Sequence, residues 1–409
     1  MSPGAQLSGA LGLLALATTL PAQTLPVPTL PPPPVPEAVP DTTRPRPWEY
    51  ALGAGLGWDS NIDFLVPDGP SGLGLAPRGG LARIFSSPRG RLRASAAGSW
   101  TGYPGQNELH RYDADVSLEG RYDRSPSTHW RGSASYGLGF SDSSTILQQQ
   151  GVSLPVVKTR SIAGAMGVSR RAGAGGSLRV DGRFYRTEFD SAALIDGSSV
   201  RGTVGLERPL GSRSTAVVEY SLEYVRPDTP GTSHLTHFGS VQWTRVLSQR
   251  SALLLEAGAS HTPDAAQAGL DHERSFFGGA SFTRQMRRSS LTLFVRREVA
   301  PAFGTGVSRL QLRAGVRAGI SMGREWELRM LAVHVQPDGA GDTDLAHARS
   351  DDAFVTLGRR LGRHVELSGE VRYRGRGAAG AFPAIDAFRA GLFVTLLGPS
   401  GVSFPHAGF

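Results

Sequence analysis

The chain has 409 residues, with 53 glycines, 28 prolines, no cysteine and a formal net charge of +8. That length allows two or three ordinary domains or one large β architecture. The lack of thiols excludes disulfides, a lipid-anchored cysteine and any thiolate metal or nucleophile site. With 39% hydrophobic residues and no apolar run of ~20 residues past the N-terminus, it does not read as a helical membrane protein.

Residues 1–22 read as a signal peptide: "LSGALGLLALATTL" is the apolar stretch and Ala22 the small residue at the cleavage point, although no Lys or Arg precedes it. Export from the cytoplasm leaves no nucleic-acid partner for the positive charge. Residues 23–47 hold "TLPVPTLPPPPVPEAVPDTTRPRP", too rich in proline to pack into a core, and are expected to form a periplasmic linker.

From Trp48 to the end the hydrophobic period is two. In "WEYALGAGLGWDSNID", Trp48, Tyr50, Leu52, Ala54, Leu56 and Trp58 share one parity, and Gly53, Gly55 and Gly57 lie on the other. Further on, Tyr112, Ala114, Val116 and Leu118 oppose Arg111, Asp113, Asp115, Ser117 and Glu119. Leu310, Leu312, Ala314 and Val316 oppose Arg309, Gln311 and Arg313. No comparable stretch has helical spacing, so the fold class is all-β. About eighteen such segments (16–18) fall between residues 48 and 397.

Short connections such as "SSPRG", "RSPST", "MGRE" and "RRLGR" alternate with longer ones such as "FDSAALIDGSS" and "PDGAGDTDLAHARS". Tryptophan and tyrosine stand on the apolar parity near segment ends, including Trp100, Trp130, Trp243, Trp326 and Tyr373. A soluble sandwich or soluble barrel gives no reason for such girdles. A transmembrane up-and-down antiparallel β-barrel over residues 48–397 does, placing the chain in a Gram-negative outer membrane amid lipid and lipopolysaccharide. Residues 398–409 remain as a C-terminal tail.

Two stretches resemble known patterns. "GLGWDSNID" is similar to the aromatic-Asp-x-Asn-Ile/Val motif of the beta-barrel porin family of outer-membrane proteins linked to exopolysaccharide export; Trp58, Asp59, Asn61 and Ile62 fill the motif. The resemblance implies an outer-membrane channel working with a periplasmic polysaccharide export protein. "RAGLFVTL" resembles the signal read by the barrel assembly machinery, with Arg389, Gly391, Val394 and Leu396 in its places. The chain continues past that strand, where many such proteins end.

On the polar parity, Arg131, Arg179, Arg183, Arg309, Arg313, Arg317, Arg372 and Arg374 are candidate lumen residues. Glu119 and Glu370, with Asp113, Asp115, Glu219, Glu223 and Glu366, make that lumen mixed in charge with a basic excess. The tight turns carry arginine, and Arg287, Arg288, Arg359 and Arg360 are expected to form a basic rim at the periplasmic mouth that gathers anions. The serine pattern of "GISMG" runs into a turn and a strand, not the helix of a nucleophile elbow. His234 and His237 lack carboxylate company, and the acidic loop 338–352 lacks EF-hand spacing. No enzyme, metal site or cofactor is expected. Three functions fit: a channel for a secreted exopolysaccharide, a porin for small anionic solutes, or a structural or adhesive barrel with a plugged lumen.

Overall fold

The computed structural model describes residues 48–64, 66–105, 109–141, 156–173, 175–229, 232–266, 268, 270–304, 306–323, 325–338, 348–378 and 383–398. The expected signal peptide, the proline-rich linker, the centre of the acidic loop and the tail beyond Gly398 lie outside the described residues.

The described residues form nineteen strands: β1 Trp48–Asp59, β2 Gly72–Leu75, β3 Arg78–Ser87, β4 Gly90–Thr101, β5 Arg111–Ser125, β6 Thr128–Phe140 and β7 Lys158–Ala172. Next come β8 Gly176–Phe189, β9 Gly197–Gly211, β10 Ser214–Pro227, β11 His234–Ser248, β12 Ser251–His261 and β13 Arg274–Gln285. Last are β14 Ser289–Ala302, β15 Val307–Met322, β16 Trp326–Pro337, β17 Ser350–Leu361, β18 Val365–Arg376 and β19 Ile385–Leu397. From β3 onward each strand pairs antiparallel with the next in the chain, and β19 returns to β1 from Ala51↔Leu397 to Asp59↔Arg389. The other edge of β1 is shared by β3 and the short β2, which continues the same line beyond Pro77. The result is a closed up-and-down barrel of eighteen spanning strands. Closure matters because hydrocarbon offers no partner for an open strand edge.

The apolar parity faces out. Val116 is 55% exposed and Leu392 66%, values that belong to lipid contact and not to a core. Trp48, Tyr122, Trp130 and Trp326 ring the turn end, while Trp58, Trp100, Tyr224 and Phe388 ring the loop end. Ten residues separate Trp48 from Trp58 on β1. At ~3.4 Å per residue and a ~40° tilt that is about 26 Å, close to the apolar band of an outer-membrane barrel. At the turn end Gly323 (φ 74°) and Gly362 (φ 80°) take the left-handed backbone that two of the tight hairpins need.

The inner face of β1 explains its row of glycines. The ring of Phe393 lies on Gly55, where a Cβ would come within 2.3 Å of it. The Arg78 guanidinium stacks on that ring at 3.8 Å. Glycine on one strand thus seats bulky side chains that arrive from its neighbours.

At the loop end several connections fold inward over the mouth. Ile62 and Phe64 of the β1–β2 loop are buried, and Phe64 packs with Ile385 and Ala387 of β19. The Val156 N–H donates to Asp63 O at 3.1 Å, joining that loop to the β6–β7 connection. Phe303, at the tip of β14–β15, reaches the apolar cluster of Tyr185, Phe189, Leu194 and Val225 on β8–β10. Ile195 and Gly304 exchange backbone hydrogen bonds of 3.1 and 2.7 Å beside it.

Candidate functional site

Below those loops the inward side chains meet as a charged constriction. On β8 the alternation that turns Val180 and Phe184 to lipid turns Arg179, Asp181 and Arg183 inward. Asp181 is 6% exposed. It accepts from Arg131 on β6 at 2.6 Å and from Arg179 on its own strand. It reaches β6 by lying across β7 at Gly167, where a Cβ would sit 2.0 Å from its Oδ1. Arg183 faces Arg201 of β9 in register. Arg201 stacks on Phe238 at 4.5 Å and lies 3.9 Å from Glu223 of β10.

The facing wall is β12 to β15. Glu298 is approached by Arg296 at 3.3 Å, Arg313 at 3.5 Å and Gln311 at 3.2 Å. Arg296 also pairs with Glu256 at 3.0 Å, and Arg309 donates to Gln311 at 3.1 Å. Glu298 is within electrostatic reach of Arg201 and Glu223 on the other wall. In this zone seven guanidiniums (Arg131, Arg179, Arg183, Arg201, Arg296, Arg309 and Arg313) face five carboxylates (Asp181, Glu219, Glu223, Glu256 and Glu298). Asp181 and Glu298 are each shared between two guanidiniums, and the balance is positive. Arg317, lower on β15, is exposed in the lumen, with no ion-pair partner among the described residues.

A second charged group lines the closure seam. Asp59 accepts from Arg389 and lies 3.8 Å from Arg111. Arg372 pairs with Asp352 at 2.8 Å and Arg78 with Glu370 at 3.0 Å. Arg374 and Arg376 stand over the Phe64 ring at 4.7 and 5.5 Å. Glu119 is exposed to the lumen on β5, opposite Arg93 of β4.

The motif stretch now has a structural account. Trp58 faces lipid and Asp59 faces inward to the seam. Asn61 N–H donates to Asp59 Oδ1 at 3.1 Å, Asn61 Nδ2 donates to Val66 O at 2.8 Å, and Phe64 N–H donates to Asn61 Oδ1 at 3.0 Å. These bonds turn the chain inward, so that Ile62 and Phe64 enter the mouth. In β19, Arg389 and Gly391 face inward while Val394 and Leu396 face lipid.

The expected basic rim needs correction. Arg359 is not on the mouth: it faces outward, stacks on Trp326 at 5.2 Å and pairs with Glu325 at 3.5 Å, beside the interfacial ring. Arg287 and Arg288 are exposed in the β13–β14 turn, and Arg360 stands opposite Glu366. Gln311, on the polar parity, faces inward and is completely buried, a packed part of the constriction. Reading by parity passed over Asp181, Arg201, Glu256, Arg296 and Glu298. Each alternates inward like its neighbours, and the signal was present at every second residue. From the acidic loop, Asp338 pairs with Arg297, and Asp351 with His334 at 2.7 Å and Arg349 at 3.3 Å.

Among curated proteins, none matches the sequence. Among solved structures the chain is similar to OpdK with vanillate from Pseudomonas aeruginosa, at 9% identity and a TM-score of 0.45, covering 86% of this chain and 98% of that one. It is also similar to OccK2 (OpdF) from Pseudomonas aeruginosa, at 11% identity and a TM-score of 0.45, covering 86% and 97%. The siderophore receptor PirA from Pseudomonas aeruginosa follows at 9% identity and a TM-score of 0.43, covering 85% and 80%. Residues 51–203, from β1 into β9, match the family model described as Putative beta-barrel porin 2.

Proposed function

We propose that this protein is a passive outer-membrane channel, with its long loops at the cell surface and its tight turns in the periplasm, and that it passes an anionic exopolysaccharide outward. The observation that carries the reading is the constriction in which guanidiniums outnumber the carboxylates they share. A guanidinium has five donors in a planar fork, so Arg131, half exposed while paired to Asp181, still has donors for a passing carboxylate. Shared pairing also keeps any one station from holding the cargo tightly. A polymer moving by many weak contacts needs that property, and eighteen strands enclose enough width for an aqueous path. The resemblance of Trp58 to Ile62 to porins linked to exopolysaccharide export supports the same cargo. A periplasmic export protein that delivers the polymer, and insertion by the barrel assembly machinery through the β19 signal, complete this reading.

A second reading, a porin for small anionic solutes, is favoured by the inward loops, because Phe303 and Phe64 narrow the mouth. One experiment separates them. In planar bilayers, a short uronic-acid oligomer added at the turn side should block current in a voltage-dependent way, and a neutral oligosaccharide of equal length should not. Replacing Arg131 and Arg317 together by Gln should weaken that block. Anion-selective current with no block by either oligomer would favour the small-solute porin. Equal block by both oligomers would refute the role of charge.

A further inference from the structure

On the lipid-facing wall of β10 to β13, near the loop end, polar side chains occur on a parity that is otherwise apolar. His237 of β11, His261 of β12 and Arg274 of β13 stand in one row of the sheet, paired His237↔His261 and His261↔Arg274. The two imidazole centroids are 6.2 Å apart. Tyr220 of β10 extends the row, its hydroxyl 2.8 Å from His237 Nδ1. Arg274 is exposed and has no ion-pair partner among the described residues. Turnward of this row the outward residues become small: Gly239, Ala257, Ala259 and Gly278. The space over Gly239 is open. Tyr220, 49% exposed, and Phe276, 76% exposed, stand on either side of this shallow trough.

We infer that this wall is a binding site for the phosphorylated glucosamine headgroup and an acyl chain of lipid A, in the leaflet at the loop end. Charge complementarity chooses the occupant. Donors from four adjacent strands point sideways into the headgroup layer, where a phosphate monoester supplies several acceptor oxygens in a small volume. An acyl chain running down from that headgroup has a floor of small residues between two aromatic walls. A histidine or arginine facing hydrocarbon is costly unless a headgroup meets it, so their place on the lipid parity is explained by a lipid phosphate at that level. The inference rests on the loop end being the cell-surface end, and it is independent of what the lumen carries.

The test uses the full-length barrel in detergent, with bis-phosphorylated lipid A, the same lipid stripped of both phosphates, and phosphatidylglycerol as probes, read by native mass spectrometry. The wild type should retain bis-phosphorylated lipid A at least about tenfold more tightly than either other lipid. The H237Q/H261Q/R274Q variant should lose that preference while keeping the gel mobility of a folded barrel. Equal retention of the phosphorylated and stripped lipids by the wild type would overturn the site without reference to any variant. Retention of phosphatidylglycerol as tight as that of lipid A, or an unchanged preference in the variant, would overturn it as well.

Discussion

Phe303 is the residue whose removal should change the channel most directly. It is 1% exposed although it sits on a hairpin tip, because the tip crosses the mouth to a cluster from β8, β10 and the β8–β9 loop. Its ring lies 5.8 Å from that of Tyr185 and rests on Gly197. Truncating a buried Phe to Ala costs ~3 kcal/mol at the low end. The two backbone bonds between Ile195 and Gly304 remain, at about 1 kcal/mol each. Phe303→Ala should therefore shift the balance between docked and released hairpin by about 150-fold toward release. Gly197→Val attacks the same contact from the other wall, since a Cβ there would come within 2.4 Å of the Phe303 ring. Both variants should raise single-channel conductance in planar bilayers at high salt and lengthen the open periods. Phe276→Ala, on the lipid face, should leave conductance unchanged. Conductance identical to wild type in both Phe303→Ala and Gly197→Val would refute the idea that this contact closes the mouth.

Two further perturbations test the wall. Val116→Arg and Leu312→Arg place a charge in lipid at ~2–4 kcal/mol each near the midplane and should abolish the heat-modifiable gel band of the inserted barrel. Ser117→Arg, which faces the lumen beside Asp115 and Glu119, should retain the band. Gln311→Arg should not be tolerated despite facing inward, because it would crowd a guanidinium between Arg309 and Arg313 at a position with no exposure. Asp59→Asn leaves Arg389 and Arg111 facing each other at the seam without their shared carboxylate. The loss of a buried partner costs about 3–5 kcal/mol, so the temperature at which the barrel loses its compact mobility should fall clearly. An unchanged temperature would show that the ladder alone holds β19 to β1.

The architecture was legible because in a membrane barrel the strand period, the girdle and the turn rhythm answer to one constraint. Val116 and Ser117 are neighbours in sequence and face different solvents, so the period alone assigns both. The short β2 was missed for a related reason: "GLGL" holds one leucine pair, too little to show a period. The constriction was legible only in part. Parity says that Glu223 points inward, but not that it approaches Glu298 from a wall several strands away. That closeness depends on how far each side chain reaches across its neighbours. The inward loops were the least legible, because apolar residues in a connection, such as Ile62, Leu194 and Phe303, have no period to reveal what they pack against. Their signal was hydrophobicity in a place where a solvated loop has no use for it.

The abundance of glycine links composition to the channel. A lumenal carboxylate can serve a cation two strands away only if the strand between them is low. Asp181 passes over Gly167 to Arg131, and a Cβ on Gly139 would come within 2.2 Å of Asp113. Phe393 lies on Gly55 in the same manner. In each case the inward residue of the intervening strand is glycine, so a long side chain lies along the wall instead of standing into the lumen. Of the groups held over Gly167, Asp181 is buried while Arg131 stays half exposed to the lumen. On the proposed reading, that geometry would let Arg131 keep a face for passing anions while Asp181 holds it in place. The weak, repeated attraction proposed for the wall would then depend on the backbone's lowness as much as on the arginines.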